Sequence, residues 1–155
     1  ALQRDDDAIT IALEALDVAN AQLQARFSPE LNRRAGLLFS ELTGERYGEV
    51  TLDRNFEVHA AETGALIPRR ILTLSQGTAD QLYLAVRLAI CDLVLPADAP
   101  VPLVLDDSLV NFDDLRARRA VELLQRLVKT RQIVLFTCTE REREILSCIT
   151  AEKTV

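Results

Sequence analysis

The 155-residue sequence is poor in the residues that build self-contained ligand sites. Its five glycines (Gly36, Gly44, Gly48, Gly64, Gly77) are dispersed, and no G-x-x-x-x-G-K-[ST] loop occurs, so these residues alone have no cradle for a polyphosphate. The single histidine, His59, shares the polar phase of a strand pattern with Glu57, which marks a surface position rather than a metal or catalytic one. Three cysteines (Cys91, Cys138, Cys148) lie scattered without CxxC or zinc-ligand spacing, and the odd number points to reduced thiols in a cytoplasmic protein. There is no excess of positive charge. The net charge of −6 excludes a global field attracting nucleic acid or acidic lipid, so any contact with DNA has to come from a local patch or from further segments. The longest apolar stretch, about Leu82 to Leu95, is broken by Arg87 and Asp92 and is too short for a bilayer, and no signal peptide is visible.

What is present is 48% hydrophobic residues, enough for one core of ordinary size. Ile9, Ala12, Leu13, Leu16, Ala19, Leu23 and Phe27 recur in steps of three and four, so residues 5–27 read as an amphipathic helix. It is either a core-facing helix or the end of a coiled coil. Because the pattern is already under way at Ala1, the chain is expected to be an excised domain. Ser28-Pro29-Glu30 reads as the start of a second helix carrying Leu31, Leu37, Leu38 and Leu42 and stopping at Gly44.

The period then changes to two. Val50 and Leu52, then Phe56, Val58 and Ala60, predict a hairpin around Asp53-Arg54-Asn55, followed by a turn at Glu62-Thr63-Gly64. Leu66-Ile67 leads into Ile71 to Leu74, an apolar strand-like run that stops at Ser75-Gln76-Gly77. A helix from Thr78 to about Leu95 follows, apolar nearly all round and so expected to be buried on most sides. After the proline-containing loop LPADAPVP come Leu103-Val104-Leu105, a helix over 114–129, and the run IVLFT. Strand, helix and strand in this order form a βαβ unit with parallel strands, both expected to be covered on two faces. The fold class is α/β with a helical arm and a small hairpin.

Two places suggest chemistry. A helix N-terminus offers unpaired N–H groups to an anion, so the Ser75-Gln76-Gly77 turn is either a phosphate contact or a site where Ser75 or Thr78 only caps the helix. Asp106 and Asp107 end an apolar strand at the edge where open parallel sheets bind ligands. The first carboxylate suits Mg²⁺ through water, and the second suits a water-orienting or general-base position. An N-cap pair is the alternative.

The order of these segments, LSQGTADQLYLAVRLA, then LDDSLVNFDD, then VLFTCTERE, resembles the C-terminal lobe of an ABC-type ATPase head. It resembles the chromosome-maintenance (SMC) and SbcC-type heads, and its wording is most similar to YhaN-type AAA-family ATPases. The likeness runs from the helical arm to about Leu146 and is densest over 72–142. It implies residues 1–28 as the end of a coiled-coil arm and 29–155 as the lobe, with the Walker A lobe lying outside these residues. It also implies ATP and Mg²⁺ as cofactors and ATP hydrolysis at a dimer interface, coupled to DNA repair or chromosome maintenance. In that scheme Ser75, Gln76 and Gly77 meet the ATP of the opposite subunit. Asp106 serves Mg²⁺, Asp107 takes the general-base position, Asn111 and Asp113 form the D-loop, and Thr139 stands at the switch position. The implied partners are the N-terminal Walker A lobe, a second copy in a homodimer, DNA, and a metallophosphoesterase nuclease subunit. No membrane partner is implied.

Three departures bear on activity. Gln76 replaces the first glycine of the signature, Asp107 replaces a glutamate, and Thr139 replaces a histidine. A hydroxyl can hydrogen-bond phosphate but carries neither a histidine's charge nor its proton. These departures imply slow, switch-like turnover by the complete protein, and the lack of a Walker A loop implies that this lobe alone is inactive. The alternative within the same fold is an ATP-gated dimerisation module. Outside it, a nuclease would use Asp106, Asp107, Asp113 and Asp114 as a two-metal cluster. Arg116, Arg118, Arg119, Arg126, Lys129 and Arg131 make helix 114–129 the most basic segment, read as a solvated face or a DNA track.

Overall fold

A computed structural model describes residues 2–53, 57–65, 67–95 and 101–152. The chain opens with α1, Leu2–Thr43, a single helix of 42 residues. Helices 5–27 and 29–43, expected to be separate, are continuous, and Pro29 lies inside α1. A proline removes one helical hydrogen bond, here to the carbonyl of Ala25, but that residue is exposed and water can reach the freed oxygen. Glu30 reinforces this turn by accepting from Arg33 Nε (2.8 Å) and Nη2 (2.7 Å) and from Arg34 Nε (2.8 Å).

Burial divides α1 in two. Residues 9–22 are exposed throughout, including Ile9, Leu13 and Leu16, which rules out the core-facing alternative for this stripe within the chain. The side chain of Leu23 lies outside the described residues. Further along, Ala35, Phe39 and Leu42 recur at helical spacing and are fully buried. The helix ends at Gly44, whose φ of +64° favours glycine, and Glu45 N–H closes back on Ser40 O at 2.7 Å.

β1 (Tyr47–Leu52) and β2 (Val58–Glu62) form the expected antiparallel hairpin, with Val50 opposite Ala60. Asp53 and Glu57 close its end through Asp53 N–H to Glu57 O (3.0 Å) and Glu57 N–H to Asp53 Oδ1 (2.9 Å). Arg54, Asn55 and Phe56 lie outside the described residues, as does Leu66. Asn32 of α1 pins the edge of β1 by accepting from Leu52 N–H at 3.0 Å. The turn at Glu62-Thr63-Gly64 is present, with Ala65 N–H donating to Glu62 O.

The strand expected over Ile71 to Leu74 is a 3₁₀ turn, Ile71–Thr73. Pairing with β2 is confined to β3, Arg69–Arg70. The apolar alternation there is too short to build a ladder, and the chain has to turn to enter the next helix.

That helix, α2 (Gln76–Val94), packs on α1 and buries Leu82, Ala85, Leu88 and Ala89. It is not covered all round, since Tyr83 and Val94 are exposed. β4 (Leu103–Asp106) and β5 (Ile133–Phe136) pair in parallel, Leu105 opposite Leu135, with α3 (Asp114–Leu127) as the crossover. α3 buries Ala117, Ala120, Val121 and Leu124. The last helix, α4 (Arg141–Glu152), was not read from the sequence, and it contributes Ile149 to the core.

The two parallel strands are not covered on both faces as expected. Leu105 is buried, while Val104 is 59% and Phe136 57% exposed. Among the described residues this sheet has two strands, and Val104 and Phe136, in phase on one face, are left exposed. No helix among the described residues is long and apolar enough to cross a membrane.

Candidate functional site

The turn before α2 is the first element. Ser75 occupies the N-cap position with extended backbone (φ −65°, ψ 151°), yet its side chain accepts no hydrogen bond from the helix backbone. Its Oγ instead lies 2.8 Å from the Thr78 hydroxyl. The capping alternative for Ser75 therefore does not hold. Ser75 and Gln76 are exposed, whereas Gly77 and Thr78 are buried.

Gly77 is buried for a reason the sequence did not disclose. A Cβ there would lie 2.4 Å from Arg116 Nη1 and 3.0 Å from the carbonyl oxygen of Asn111. The missing side chain lets the start of α3 and the 107–113 loop pack against the start of α2. Arg116 continues this contact by donating to Thr78 Oγ1 at 3.3 Å and pairing with Asp113 at 3.4 Å.

Gln76 and Asn111 are joined through a residue not singled out from the sequence. Asp80, one turn into α2, accepts from Gln76 Nε2 at 3.0 Å on Oδ1 and from Asn111 Nδ2 at 2.8 Å on Oδ2. The Ser75-Gln76-Gly77 turn and the 107–113 loop are thus linked by side chains. A carboxylate four residues after Gln76 was the available signal, since i and i+4 share a helix face. Asp113 is the N-cap of α3, its Oδ1 accepting from Arg116 N–H at 2.9 Å.

The second element is the end of β4. Asp106 closes the strand with its side chain exposed, and Asp107 follows with φ +44°, in the left-handed region. An aspartate tolerates this conformation better than most residues. Here three hydrogen bonds hold it: Asp107 N–H to Phe136 O (3.0 Å), Val110 N–H to Asp107 O (3.2 Å), and Cys138 N–H to Asp107 Oδ1 (2.8 Å). One carboxylate oxygen therefore ties the end of β4 to the residues after β5. The carboxylate also raises the pKa of the Cys138 thiol, first by hydrogen bonding and then by its charge.

A cleft of about 240 Å³ lies at this edge, lined by Asp80, Arg87, Asp106, Asp107, Ser108 and Asn111, among others. It presents hard oxygen ligands of the kind Mg²⁺ takes, with Asp106 the exposed carboxylate at the strand end. Ser75, Gln76 and Gly77 do not line it. The Ser75-Gln76-Gly77 turn and the strand-end carboxylates are therefore two separate surfaces of one chain, linked through Asp80 and Asn111 and through the packing of Arg116.

The third element follows β5. The Thr139 hydroxyl hydrogen-bonds Glu142 Oε2, which also accepts from Thr137 Oγ1 at 2.8 Å. Glu142 is 4% exposed. Burial pushes its carboxyl upward, but bonds from Thr139, Arg141 and Thr137 outweigh this and hold it at about 2. Arg141 donates to Glu142 Oε1 from Nε (3.0 Å) and Nη2 (2.6 Å). Neither residue was found from the sequence, where an Arg-Glu pair at a helix start looks like ordinary surface charge.

Other sequence readings change as well. The basic segment is not a free track: Arg118 pairs with Glu122 at 3.0 Å, Arg131 with Asp92 at 3.4 Å, and Arg126 with Glu41. Among the described residues, Asp106, Asp107, Asp113 and Asp114 do not gather into a metal-ligand cluster. The group with that spacing is Asp53, Glu57 and His59, so His59 has acidic neighbours after all, with Asp53 Oδ2 3.7 Å from Nε2.

No family profile matches the chain. A protein of Bacillus subtilis (strain 168), the uncharacterised YhaN, is 33% identical over 127 residues, which span 75% of this chain and 12% of that protein. A structure from work on ATP-driven dimerisation and DNA-stimulated activation of SMC ATPases superposes with a TM-score of 0.66 at 19% identity, covering 81% of this chain and 77% of that one. The Smc head domain of Pyrococcus furiosus, with an extended coiled coil and bound to the C-terminal domain of ScpA, gives 0.62 at 18% identity, covering 90% and 35%. The chain thus has the fold of the C-terminal lobe of an ABC-type ATPase head of the SMC-like group.

Proposed function

We propose that this chain supplies half of each of two composite ATP sites in a homodimer of SMC-like heads. The strand end of β4 serves the ATP bound by its own subunit, with Asp106 meeting Mg²⁺ through water and Asp107 facing the attacking water. The Ser75-Gln76-Gly77 turn serves the ATP of the opposite subunit through the α2 N-terminus. One observation carries this reading: Ser75 is exposed at the head of a largely buried helix with a hydroxyl that does not cap it, outside the cleft lined by Asp106 and Asp107. A residue that neither caps nor faces the chain's own carboxylates suits a ligand brought by another molecule.

Gly77 also takes a packing part. With Arg116 and the Asn111 carbonyl against it, it holds the turn to the D-loop, leaving Ser75 and Gln76 as the outward groups. Residues 1–28 would be the coiled-coil arm, whose exposed Ile9, Leu13 and Leu16 suit an antiparallel partner helix, and 29–155 the lobe. The open face of β4 and β5, with Val104 and Phe136, suits the N-terminal Walker A lobe. DNA maintenance in the cytoplasm is the setting such heads imply. A nuclease subunit of the metallophosphoesterase class and DNA itself remain partners of the whole assembly.

A second reading has its own support. Asp107 Oδ1 is committed to Cys138 N–H and the Thr139 hydroxyl to Glu142, so both groups expected to handle water and γ-phosphate already have structural duties. This favours an ATP-gated clamp with slow turnover. The deciding experiment uses the full-length gene product, measuring MgATP hydrolysis and ATP-dependent dimerisation with Ser75→Arg and Asp107→Asn. Loss of hydrolysis in both variants supports the composite site. Dimerisation blocked by Ser75→Arg without turnover in the wild type supports the clamp. If Ser75→Arg changes neither, the trans site is wrong.

A further inference from the structure

We propose that Arg141 and Glu142 form a strut that sets the D-loop segment against the end of β5, making Arg141 a positioning residue for Asn111 and Asp113. Arg141 Nη1 donates to Phe112 O at 2.6 Å and Nη2 to Leu109 O at 2.8 Å. These two carbonyls flank Asn111 in sequence, one before it and one after. The same guanidinium holds Glu142 Oε1, while Glu142 Oε2 takes the hydroxyls of Thr137 and Thr139. One ion pair thus connects backbone carbonyls of the 107–113 loop to the side chains of the residues after β5.

Each part of the strut has a physical reason. A planar guanidinium presents several donors at fixed angles, so it can serve two carbonyls and a carboxylate at once. A lysine ammonium, a compact point charge, cannot reproduce that spread. Glu142 is too buried to go without its cation, and removing one partner of such a pair is much costlier than the pair's net contribution. The loop is also anchored by Asn111 to Asp80 and by Asp113 at the start of α3. Arg141 is the anchor that comes from α4, so the loop's position depends on what the residues after β5 do. A ligand drawing the Thr139 hydroxyl away from Glu142 would take one bond from the strut and so bear on the D-loop. This last step rests on the composite-site reading; the strut itself does not.

The test uses the full-length protein with Arg141→Ala, Arg141→Lys and the milder Thr137→Val. Amide hydrogen exchange is read at Val110 and Phe112, whose N–H groups donate to Asp107 O and Leu109 O. Arg141→Ala is expected to speed exchange there about tenfold while amides in the middle of α2 and α3 keep their rates. Arg141→Lys should not restore the wild-type rate, and Thr137→Val should give a smaller increase. In a protein that hydrolyses ATP, kcat should fall about tenfold in Arg141→Ala with KM within about twofold. Unchanged exchange at both amides overturns the strut. Faster exchange with unaltered kcat overturns the positioning role. If the wild type neither binds nor hydrolyses ATP, the composite-site reading fails, and the exchange rates still decide the strut.

Discussion

Replacing Gly77 with alanine tests the packing of the turn before α2 separately from the ligand contact proposed for it. The added methyl would lie 2.4 Å from Arg116 Nη1 and 3.0 Å from Asn111 O. The guanidinium can swing aside, but it then gives up its bond to Thr78 and its pairing with Asp113, two part-exposed contacts worth about 0.5–1 kcal/mol each. The Asn111 carbonyl is backbone, and its residue is tethered to Asp80, so it yields less easily. Overpacking of this kind typically costs about 1–3 kcal/mol. Against it stands the helix preference for alanine over glycine, about 1 kcal/mol mid-helix and smaller in a first turn. The balance is a net loss of about 1 kcal/mol, or roughly 2–4 °C in Tm for a chain of this size. Urea unfolding of the wild type, Gly77→Ala, Arg116→Ala and the double variant measures it without any nucleotide. Gly77→Ala should cost less in the Arg116→Ala background, by about 0.5–1 kcal/mol, because one of the two conflicts is gone. Stabilisation by Gly77→Ala in both backgrounds would refute the reasoning and return the glycine to a role in ligand approach.

Two further predictions concern the same surfaces. Because Ser75 makes no capping bond to the backbone, Ser75→Ala should alter stability by less than about 0.5 kcal/mol, below the ~1 kcal/mol typical of a lost cap, as read from thermal unfolding. Glu142 titrates near 2 in the folded chain against an ordinary 4.5, so its contribution is complete above about 4.5 and disappears as pH falls through about 2. Acid unfolding should show a loss on the order of 3 kcal/mol across that window, and a Glu142→Gln variant should lack it. A wild-type curve parallel to that of the variant would mean Glu142 is not held as described.

Much of this architecture was legible before folding because it depends on local periodicity. The hairpin followed from period-two alternation at Val50, Leu52, Val58 and Ala60, and the βαβ unit from two apolar runs around an amphipathic helix. The carboxylates at the β4 end and the serine before α2 were legible for the same reason, as residues at the boundaries of such runs. Where context outweighs pattern, the reading failed. Pro29 signalled a helix start, yet the helix runs through it at an exposed stretch, where water can satisfy the carbonyl that proline leaves without a donor. Leu103 to Leu105 suggested a strand covered on both faces, but covering depends on what packs against the sheet, and Val104 is exposed among the described residues.

The sequence by itself determined which elements form, their order, and the polar residues that end them, since propensity and spacing act over a few neighbouring positions. Only the tertiary structure decided what those residues touch. Gly77 meets Arg116 across 39 positions, Asn111 meets Asp80 across 31, and Arg141 reaches back 32 to Leu109. It also decided that Asp107 and Thr139 spend polar atoms on Cys138 and Glu142, and that Ser75 does not cap. Contacts between residues far apart in the chain depend on how helices and strands pack, and no local periodicity records that packing.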